Sequence, residues 1–377
     1  MKKYTLKLSD RFITDKDYML SGEQVKLVLR TRLSTFDVQL SVGETTYKDE
    51  FNDEEPFDRQ THVFHIGKEK LTADTKLLLR VKLRKNSPLQ FVYVFPFGSP
   101  EYKDEEKLKE EYDNGLTLIS VDKETTAPGT EYSHLLYNGK NGEPVHVFLT
   151  EADPALVSLY IGTPNDGYES VNVKQTIPGM IADACANGHK IVTGVNADFF
   201  DMFGDHHPSG YCVKNGRTVS EPKNGRNFIA LLKDGSHVIT NEKESPELLS
   251  EIVQAASGLE MIVKDGQLYE YGPMEPFSYV RHPRTAAGVR KDGTVLLCVV
   301  DGRIPEYSNG ASLVDLAKLM ISFGADRAIN MDGGGSSAMY TKKGDEFILR
   351  SRPADLIHPK AKLIRKDYNS LLIEAKE

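Results

Sequence analysis

The 377-residue chain has no tryptophan, so any flat aromatic platform must come from its 17 tyrosines and 16 phenylalanines. It has three cysteines, Cys185, Cys212 and Cys298, odd in number and far apart. That spacing supports neither a disulfide framework nor a zinc site, and the three read as small buried hydrophobes. No run approaches the roughly 18 apolar residues that a membrane-spanning helix needs. Positive charge is not in excess either. With 47 Lys and Arg against 55 Asp and Glu, the net charge is -8, and the cations are scattered, which argues against nucleic acid as a partner. The opening MKKYTLKLSD has basic residues but no apolar segment after them, so no signal peptide is expected in this chain.

What is present divides at a charged run. Residues 1–98 read as a small all-β, sandwich-like accessory domain. In it Leu79, Val81 and Leu83 alternate with Arg80, Lys82 and Arg84, and Phe91–Phe95 is β-rich. His62 and His65 have no third ligand nearby in sequence and read as structural. Residues 99–115 form a charged linker that Gly115 closes. Residues 116–377 read as a catalytic domain of α+β class, a mixed sheet with helices.

Two units in that domain share a layout. One is a helix over Pro178–Asn187 ended by Gly188, then the buried strand Ile191–Val195, then Asn196-Ala197-Asp198. The other is a helix capped by Ser312 with Asp315 three residues on and closed by Gly324, then the strand Ala328–Met331 carrying Asn330 and Asp332. The layout predicts that the two strands lie side by side and bring both Asn-x-Asp pairs to one rim. Gly333, Gly334 and Gly335 follow, with Ser336 and Ser337; backbone N–H groups in such a turn suit an anion.

Three Lys-Asp-Gly turns, at Asp234, Asp265 and Asp292, predict hairpins. A two-residue turn at Asp292-Gly293 would set Arg284 opposite Asp301, with Arg303 adding a second cation. The loop 201–210 holds His206 and His207, which adjacent placement makes poor joint ligands. The run Asp367–Ile373 reads as a final strand.

In order along the chain, Asn196 with Phe199-Phe200, Arg284-Thr285-Ala286 with Gly288, Asp301-Gly302, and Asn330-x-Asp332-Gly333-Gly334-Gly335-Ser336 resemble the phosphodiester glycosidase family. The resemblance spans roughly residues 116–377. Ala197 stands where a glycine is common in that family, and Asp198 adds a carboxylate. The resemblance implies hydrolysis of a sugar-1-phosphodiester at the anomeric C–O bond, on a glycan or cell-wall-type substrate, in an extracellular or cell-envelope setting. It needs no cofactor and no metal. Asp332 is then the first choice and Asp301 the second for the carboxylate that activates water or meets the oxocarbenium-like centre. Arg284 suits the phosphate, because a guanidinium binds its oxygens bidentately. Asn196, Asp198, Arg303, Asn330, Gly333–Gly335, Ser336 and Ser337 are candidates for binding substrate. Two rivals stand beside this reading. One is a divalent-metal phosphodiesterase with Asp198, Asp301 and Asp332 as oxygen ligands. The other is a non-enzymatic protein that binds a glycan or wall polymer.

Overall fold

The computed structural model describes residues 4–7, 13–21, 23–35, 37–49, 59–82, 89–102, 115–201, 205–223, 225–269, 280–357 and 364–376. Residues 83 and 84 and most of the charged linker lie outside these. The chain forms two compact units, Met1–Tyr112 and Asp113–Glu377.

In the first unit, alternation decides the layers. Lys76–Lys82 buries Leu77, Leu79 and Val81 and turns the residues between them outward. It sits third in a five-stranded sheet, between Leu89–Pro96 and Asp37–Val42, with Tyr4–Lys7 and Thr45–Lys48 at the edges. A three-stranded sheet of Ile13–Ser21, Gln24–Thr35 and Arg59–Gly67 supplies Val25, Leu27, Leu29, Phe64 and Ile66 to the same core. His62 is buried and its Nδ1 lies 2.7 Å from Asp49 Oδ2, so it serves packing, as its sequence context implies.

The second unit is built on three antiparallel sheets. An eight-stranded sheet runs in the order Gln267–Leu268, Met261–Lys264, Arg327–Asn330, Arg284–Val289, Val295–Val300, Pro144–Ala152, Thr130–Asn138, Thr117–Ala127. A five-stranded sheet runs Val157–Gly162, Ser370–Ala375, Ile191–Asn196, Met339–Lys343, Glu346–Leu349. Another five-stranded sheet runs Arg217–Ser220, Cys212–Lys214, Ile252–Ser257, Phe228–Leu232, His237–Thr240. All three contribute to one core, through Leu297 and Ile329, Val195 and Leu371, and Ile229 and Ala256 respectively.

The expected α+β class is therefore corrected. Among the described residues, the structure is 50% strand and 12% helix, with three helices: α1 (Ile177–Ala186), α2 (Leu313–Ser322) and the short α3 (Ala354–Ile357). The two long helices stand where the sequence puts them. They cover outer sheet faces and form no layer of their own: α1 lies on Tyr160, Ile191 and Leu372, and α2 on Ala286, Leu296 and Ala328. The short hairpins between them carry the architecture.

Two register expectations also fail, each for a local reason. The Asn-x-Asp strands are not neighbours, because Ile191–Asn196 and Arg327–Asn330 belong to different sheets. Only their ends meet. In the third hairpin, Val289 pairs with Val295 and Arg284 with Val300. The loop is one residue longer than expected: Arg290 N–H donates to Thr294 O (2.9 Å) and Gly293 N–H to Arg290 O (2.9 Å). Only Gly293 is left-handed here, at φ +87°, whereas the two-residue turn at Asp265-Gly266 has both residues left-handed, at +55° and +73°. The extra residue moves Asp301 one position past Arg284's partner, and a one-residue slip exchanges sheet faces.

The cap of α2 is a capping box. Asp315 N–H donates to Ser312 Oγ and Ser312 N–H to Asp315 Oδ2, both at 3.0 Å. Ser312→Ala removes the first of these bonds, worth about 1 kcal/mol. The expected result is a melting midpoint lower by roughly 2–4 °C with turnover unchanged, read by a thermal melt and an activity assay on one preparation.

Candidate functional site

The site forms where the two Asn-x-Asp segments end. Asn196, fully buried, donates from Nδ2 to the Asp332 carbonyl at 2.6 Å. Its Oδ1 accepts from Thr285 Oγ1 at 2.8 Å and from Ala338 N–H at 3.3 Å. Asp332 N–H in turn donates to Ala197 O at 2.9 Å. One side chain thus ties three segments together, and its amide is committed to protein, not offered to a ligand. Ser337 is fully buried in the same tie, with Oγ 3.2 Å from Thr285 Oγ1.

Asp332 stands beyond this tie, half-buried. Its Oδ1 accepts from Gly333 N–H at 2.9 Å. Burial pushes its carboxyl above the ordinary range, while Ser336, Arg365 and Arg226 pull the other way. Asp198 is 1% exposed. Burial raises its carboxyl to about 7, against Arg226, whose Nη2 donates at 3.2 Å, and Gly210 N–H at 2.9 Å; the charge of Asp332 adds to the rise. Arg303 sits over the glycine turn with an exposed side chain and a left-handed backbone at φ 63°. It feels the charges of Arg365, Asp355 and Asp332. Such a backbone is strained for a residue with a side chain, and strain of this kind clusters at functional sites.

The glycine turn differs from the expected anion cradle. Gly333 N–H goes to Asp332 and Gly334 N–H to Pro283 O at 2.9 Å. Asn330 lies behind the turn, donating from Nδ2 to Glu260 Oε2 at 2.8 Å.

Two sequence-chosen residues fall away from this centre. Arg284 is 3% exposed, and its Nε and Nη2 donate to the carbonyls of Ala311 (3.1 Å) and Val280 (2.9 Å). Its charge is felt by Glu260, and burial lowers its guanidinium to about 10. Through these bonds it holds backbone in place. Asp301 is not opposite it. The Asp301 carboxylate accepts from Arg352 N–H at 2.7 Å and Tyr307 Oη at 3.2 Å, beside a stack of Tyr307 on His146 with ring centroids 4.1 Å apart. Burial raises its carboxyl to about 7, and among the described residues the other groups acting on it are Arg352 and Tyr307. The three-carboxylate metal set of the rival reading is therefore not gathered. In the loop 201–210, Asp201, Asp205 and His207 bring three ligand atoms within 4.8 Å of one another, an exposed acidic group of a common kind. His206 Nδ1 lies 2.8 Å from Asp201 O.

Several residues at the site carry no motif. Arg365 grips Asp355 through Nε and Nη2 at 2.9 and 2.7 Å and reaches Ser336 Oγ from Nη1 at 3.4 Å. Asp367 is buried beside Asp332 and Ser336. Asn369 Oδ1 accepts from Asp198 N–H at 2.9 Å. The period-2 spacing of 365, 367 and 369 before a strand was the available signal.

A β-rich unit whose rim alternates buried carboxylates with guanidiniums over a tight glycine turn has the groups of a sugar-phosphate site. Residues 189–372 match the family model described as phosphodiester glycosidase, and over those residues the chain carries a domain of that family. The N-acetylglucosamine-1-phosphodiester alpha-N-acetylglucosaminidases of Bos taurus and Mus musculus are each 29% identical over 180 residues, 42% of this chain and 32% and 33% of theirs. The chain thus spans about a third of the length of these relatives. The SPbeta prophage-derived uncharacterized protein YomE of Bacillus subtilis (strain 168) is 47% identical over 58 residues, 15% of this chain and 9% of that one. Among solved structures, the catalytic domain of the zebrafish N-acetylglucosamine-1-phosphodiester alpha-N-acetylglucosaminidase aligns with TM-score 0.53 and 22% identity, over 69% of this chain and 88% of that one. A hypothetical protein from Synechocystis aligns with TM-score 0.54 and 12% identity, over 96% and 76%. At those identities the two structures speak to the fold alone.

The Asp301 environment yields a signed expectation. A carboxyl near 7 in the fold and about 3.9 when unfolded binds its proton more tightly in the folded chain. Its contribution is fully present below pH 4 and is lost as pH rises toward 7. Asp301→Asn should therefore melt above the parent at pH 7.5, by at most about 4 kcal/mol of stability, and the gap should close at pH 4. Thermal melts across pH check this.

Proposed function

We propose that residues 116–377 hydrolyse a sugar-1-phosphodiester at the anomeric C–O bond, with a glycan or cell-wall-type phosphodiester as substrate. The carrying observation is the carboxylate pair Asp332 and Asp198 set among Arg226, Arg303 and Arg365. A phosphate monoester is a good leaving group, so the phosphate side needs charge stabilisation more than a proton. Arg303, exposed at the rim, has the freedom to meet that phosphate. Asp332 acts on the sugar side. It takes the proton of the attacking water, or attacks the anomeric carbon itself, as the bond to phosphate breaks and the phosphate leaves with the bonding pair. Asp198, held by Arg226, Gly210 and Asn369, shapes the sugar pocket.

Asp332→Asn keeps size and hydrogen bonds and removes the charge. Turnover should fall by about 100- to 10,000-fold with the melting midpoint held or raised. The assay is release of reducing sugar from a panel of sugar-1-phosphodiesters, wall-type polymers included, run with and without chelator. A variant with more than about half the parent kcat would remove Asp332 from the mechanism. Because Asp332 must be ionised and burial raises its carboxyl, activity should fall on acidification through a step above the ordinary carboxylate range.

The domain reading extends this proposal. Residues 1–98 are an accessory domain, 99–115 a linker, and all four motifs follow Gly115. A chain beginning at residue 116 should cleave a small diester at nearly the full-length rate. Loss confined to polymeric substrates would give residues 1–98 a targeting role, and a folded but inactive fragment would refute the division.

A further inference from the structure

Arg352 is exposed, and among the described residues its guanidinium has no ion pair and no hydrogen bond. Three other arginines of this region are spent: Arg226 on Asp198, Arg350 on Glu124 and Arg365 on Asp355. Arg303 is exposed and unpaired among the described residues as well. What holds Arg352 is its surroundings. Its backbone N–H donates to Asp301 Oδ2 at 2.7 Å, and its guanidinium lies over the Tyr307 ring, 5.1 Å from the centroid.

That ring ends a stack built into the eight-stranded sheet. Tyr307 lies on His146 with ring centroids 4.1 Å apart and 14° between planes. His146 Nδ1 is 2.8 Å from His134 Nε2, and the His134 ring lies on Phe148 at 4.9 Å and 6°. The loop carrying Tyr307 is pinned to the same sheet. Tyr307 Oη donates to Asp301 Oδ2 at 3.2 Å, Ser308 Oγ to Asp301 O at 2.6 Å, and His146 N–H to Ser308 Oγ at 3.0 Å. Burial lowers both imidazoles below the ordinary histidine range, so the stack is uncharged at neutral pH. Arg352 is therefore a single cation on a neutral, pinned shelf, with Asp301 buried behind it. Held by the ring, a guanidinium still has its planar fork of N–H donors for an oxyanion.

Both free cations belong to the rim that carries Asp332. Arg303 is two residues past Asp301, and its Nη2 is 3.0 Å from where a Cβ on Gly334 would stand. Asp355 is three residues past Arg352, and its carboxylate fills the space that a Cβ on Gly335 would need. Two residues of chain span at most about 7 Å, and three at most about 11 Å. Arg352 is thus tied, through Asp301 and through Asp355, to the turn that follows Asp332. The charges acting on Arg303 are those of Arg365, Asp355 and Asp332, and Arg352 is not among them. The two cations are separate points on one rim.

We propose that Arg352 on its Tyr307 shelf is a second phosphate-binding point, which takes the next phosphate along a repeating phosphodiester chain while Arg303 meets the phosphate of the bond being cut. This rests on the hydrolysis proposed for residues 116–377 and narrows its substrate class to a polymer with one negative charge per repeat. A lone diester gives Arg352 nothing to hold. Charge complementarity carries the choice of occupant. Asp355 and Glu124 are neutralised by Arg365 and Arg350, and Asp301 is turned inward at 1% exposure, which leaves the guanidiniums of Arg303 and Arg352 to a ligand. A planar fork with no protein partner suits the oxygens of a phosphate.

The test uses the full-length chain and two substrates with the same scissile bond: a sugar-1-phosphate esterified to glycerol, and that diester extended by further glycerol phosphate units. Arg352→Gln should raise KM for the extended substrate about three- to tenfold, with kcat within about twofold and the short diester unaffected. The difference should shrink to less than about twofold in roughly 0.5 M salt, because an exposed charge contact is screened. The melting midpoint should hold, since glutamine at 352 still supplies the N–H that Asp301 accepts. An unchanged KM on the extended substrate overturns the proposal. So does an equal rise on both substrates, which would place Arg352 on the scissile phosphate. A binding arm needs no turnover. The Nε–Hε signal of Arg352, assigned by its loss in Arg352→Gln, is followed by NMR as tetra(glycerol phosphate) is added. It should shift on binding, and the parent should bind at least about threefold tighter than the variant; a signal that does not move overturns the proposal. If the parent cleaves no diester, the hydrolase reading fails and the binding arm still decides Arg352. If it cleaves both substrates and Arg352→Gln changes neither, the hydrolase reading stands and this proposal falls.

Discussion

Everything at the site hangs on one buried amide. Asn196 ends a strand of one sheet, and its side chain closes on the carbonyl of Asp332, which follows a strand of another. The opposite end of the amide takes Thr285 and Ala338. The sheets share no strand, and the backbone bond from Asp332 N–H to Ala197 O at 2.9 Å and the common core work with this amide to hold the segments together. A buried amide left without partners costs about 1–3 kcal/mol, so the contact is strongly selected over alternatives in which the strand ends drift apart. Asn369, on the neighbouring strand approach, repeats the device by accepting from Asp198 N–H and letting its own carbonyl take Ala197 N–H at 3.3 Å. The carboxylates Asp332 and Asp198 are placed by the amides beside them.

With the backbone so fixed, electrostatics follows. Asp198, Asp332 and Asp367 are drawn out of water together, and burial raises each of them, with mutual repulsion adding to it. The guanidiniums of Arg226, Arg303 and Arg365 are distributed among them. The molecule tolerates a set of ionisable groups whose folded state resists losing protons, which costs stability at neutral pH. Such costs collect where chemistry is carried out, because a base poised well above its solution range is more effective near neutrality than an ordinary carboxylate.

How much of this was legible in the sequence varies with the length scale of the signal. Local signals carried through. Ser312 caps its helix, Gly188 and Gly324 end theirs at φ +95° and +83°, and each Lys-Asp-Gly run turns a hairpin. Fold class did not, because two helix-strand units were weighed as if they typified the whole unit, when they line one face of much longer antiparallel sheets. Register failed by one residue at Asp292, where the dipeptide is the same as at Asp265 but the loop conformation differs. That slip exchanged the neighbours of Arg284 and Asp301. Arg226, Arg365, Asp367 and Asn369 were beyond reach for a different reason. Most of their partners lie tens to almost two hundred positions away, and the period-2 spacing of 365, 367 and 369 does not record which partners those are.

The glycine triplet has a steric role as well as a donor role. Free N–H groups in a tight turn suit a phosphate, but here the Gly333 and Gly334 donors are already taken, by Asp332 and by Pro283. What the positions require is room. A Cβ at 335 would collide with the paired Asp355 and Arg365, and one at 334 would stand 3.0 Å from Arg303 Nη2, on a backbone at φ +63°. The glycines let guanidiniums lie against the turn that carries Asp332. The backbone's part is to keep the carboxylate and the cations within reach of one another while preventing them from collapsing into a single ion pair. Arg365 is held off Asp332 by its grip on Asp355, and Arg226 by its bond to Asp198. A cation already satisfied elsewhere lends its field to Asp332 without closing on its carboxyl.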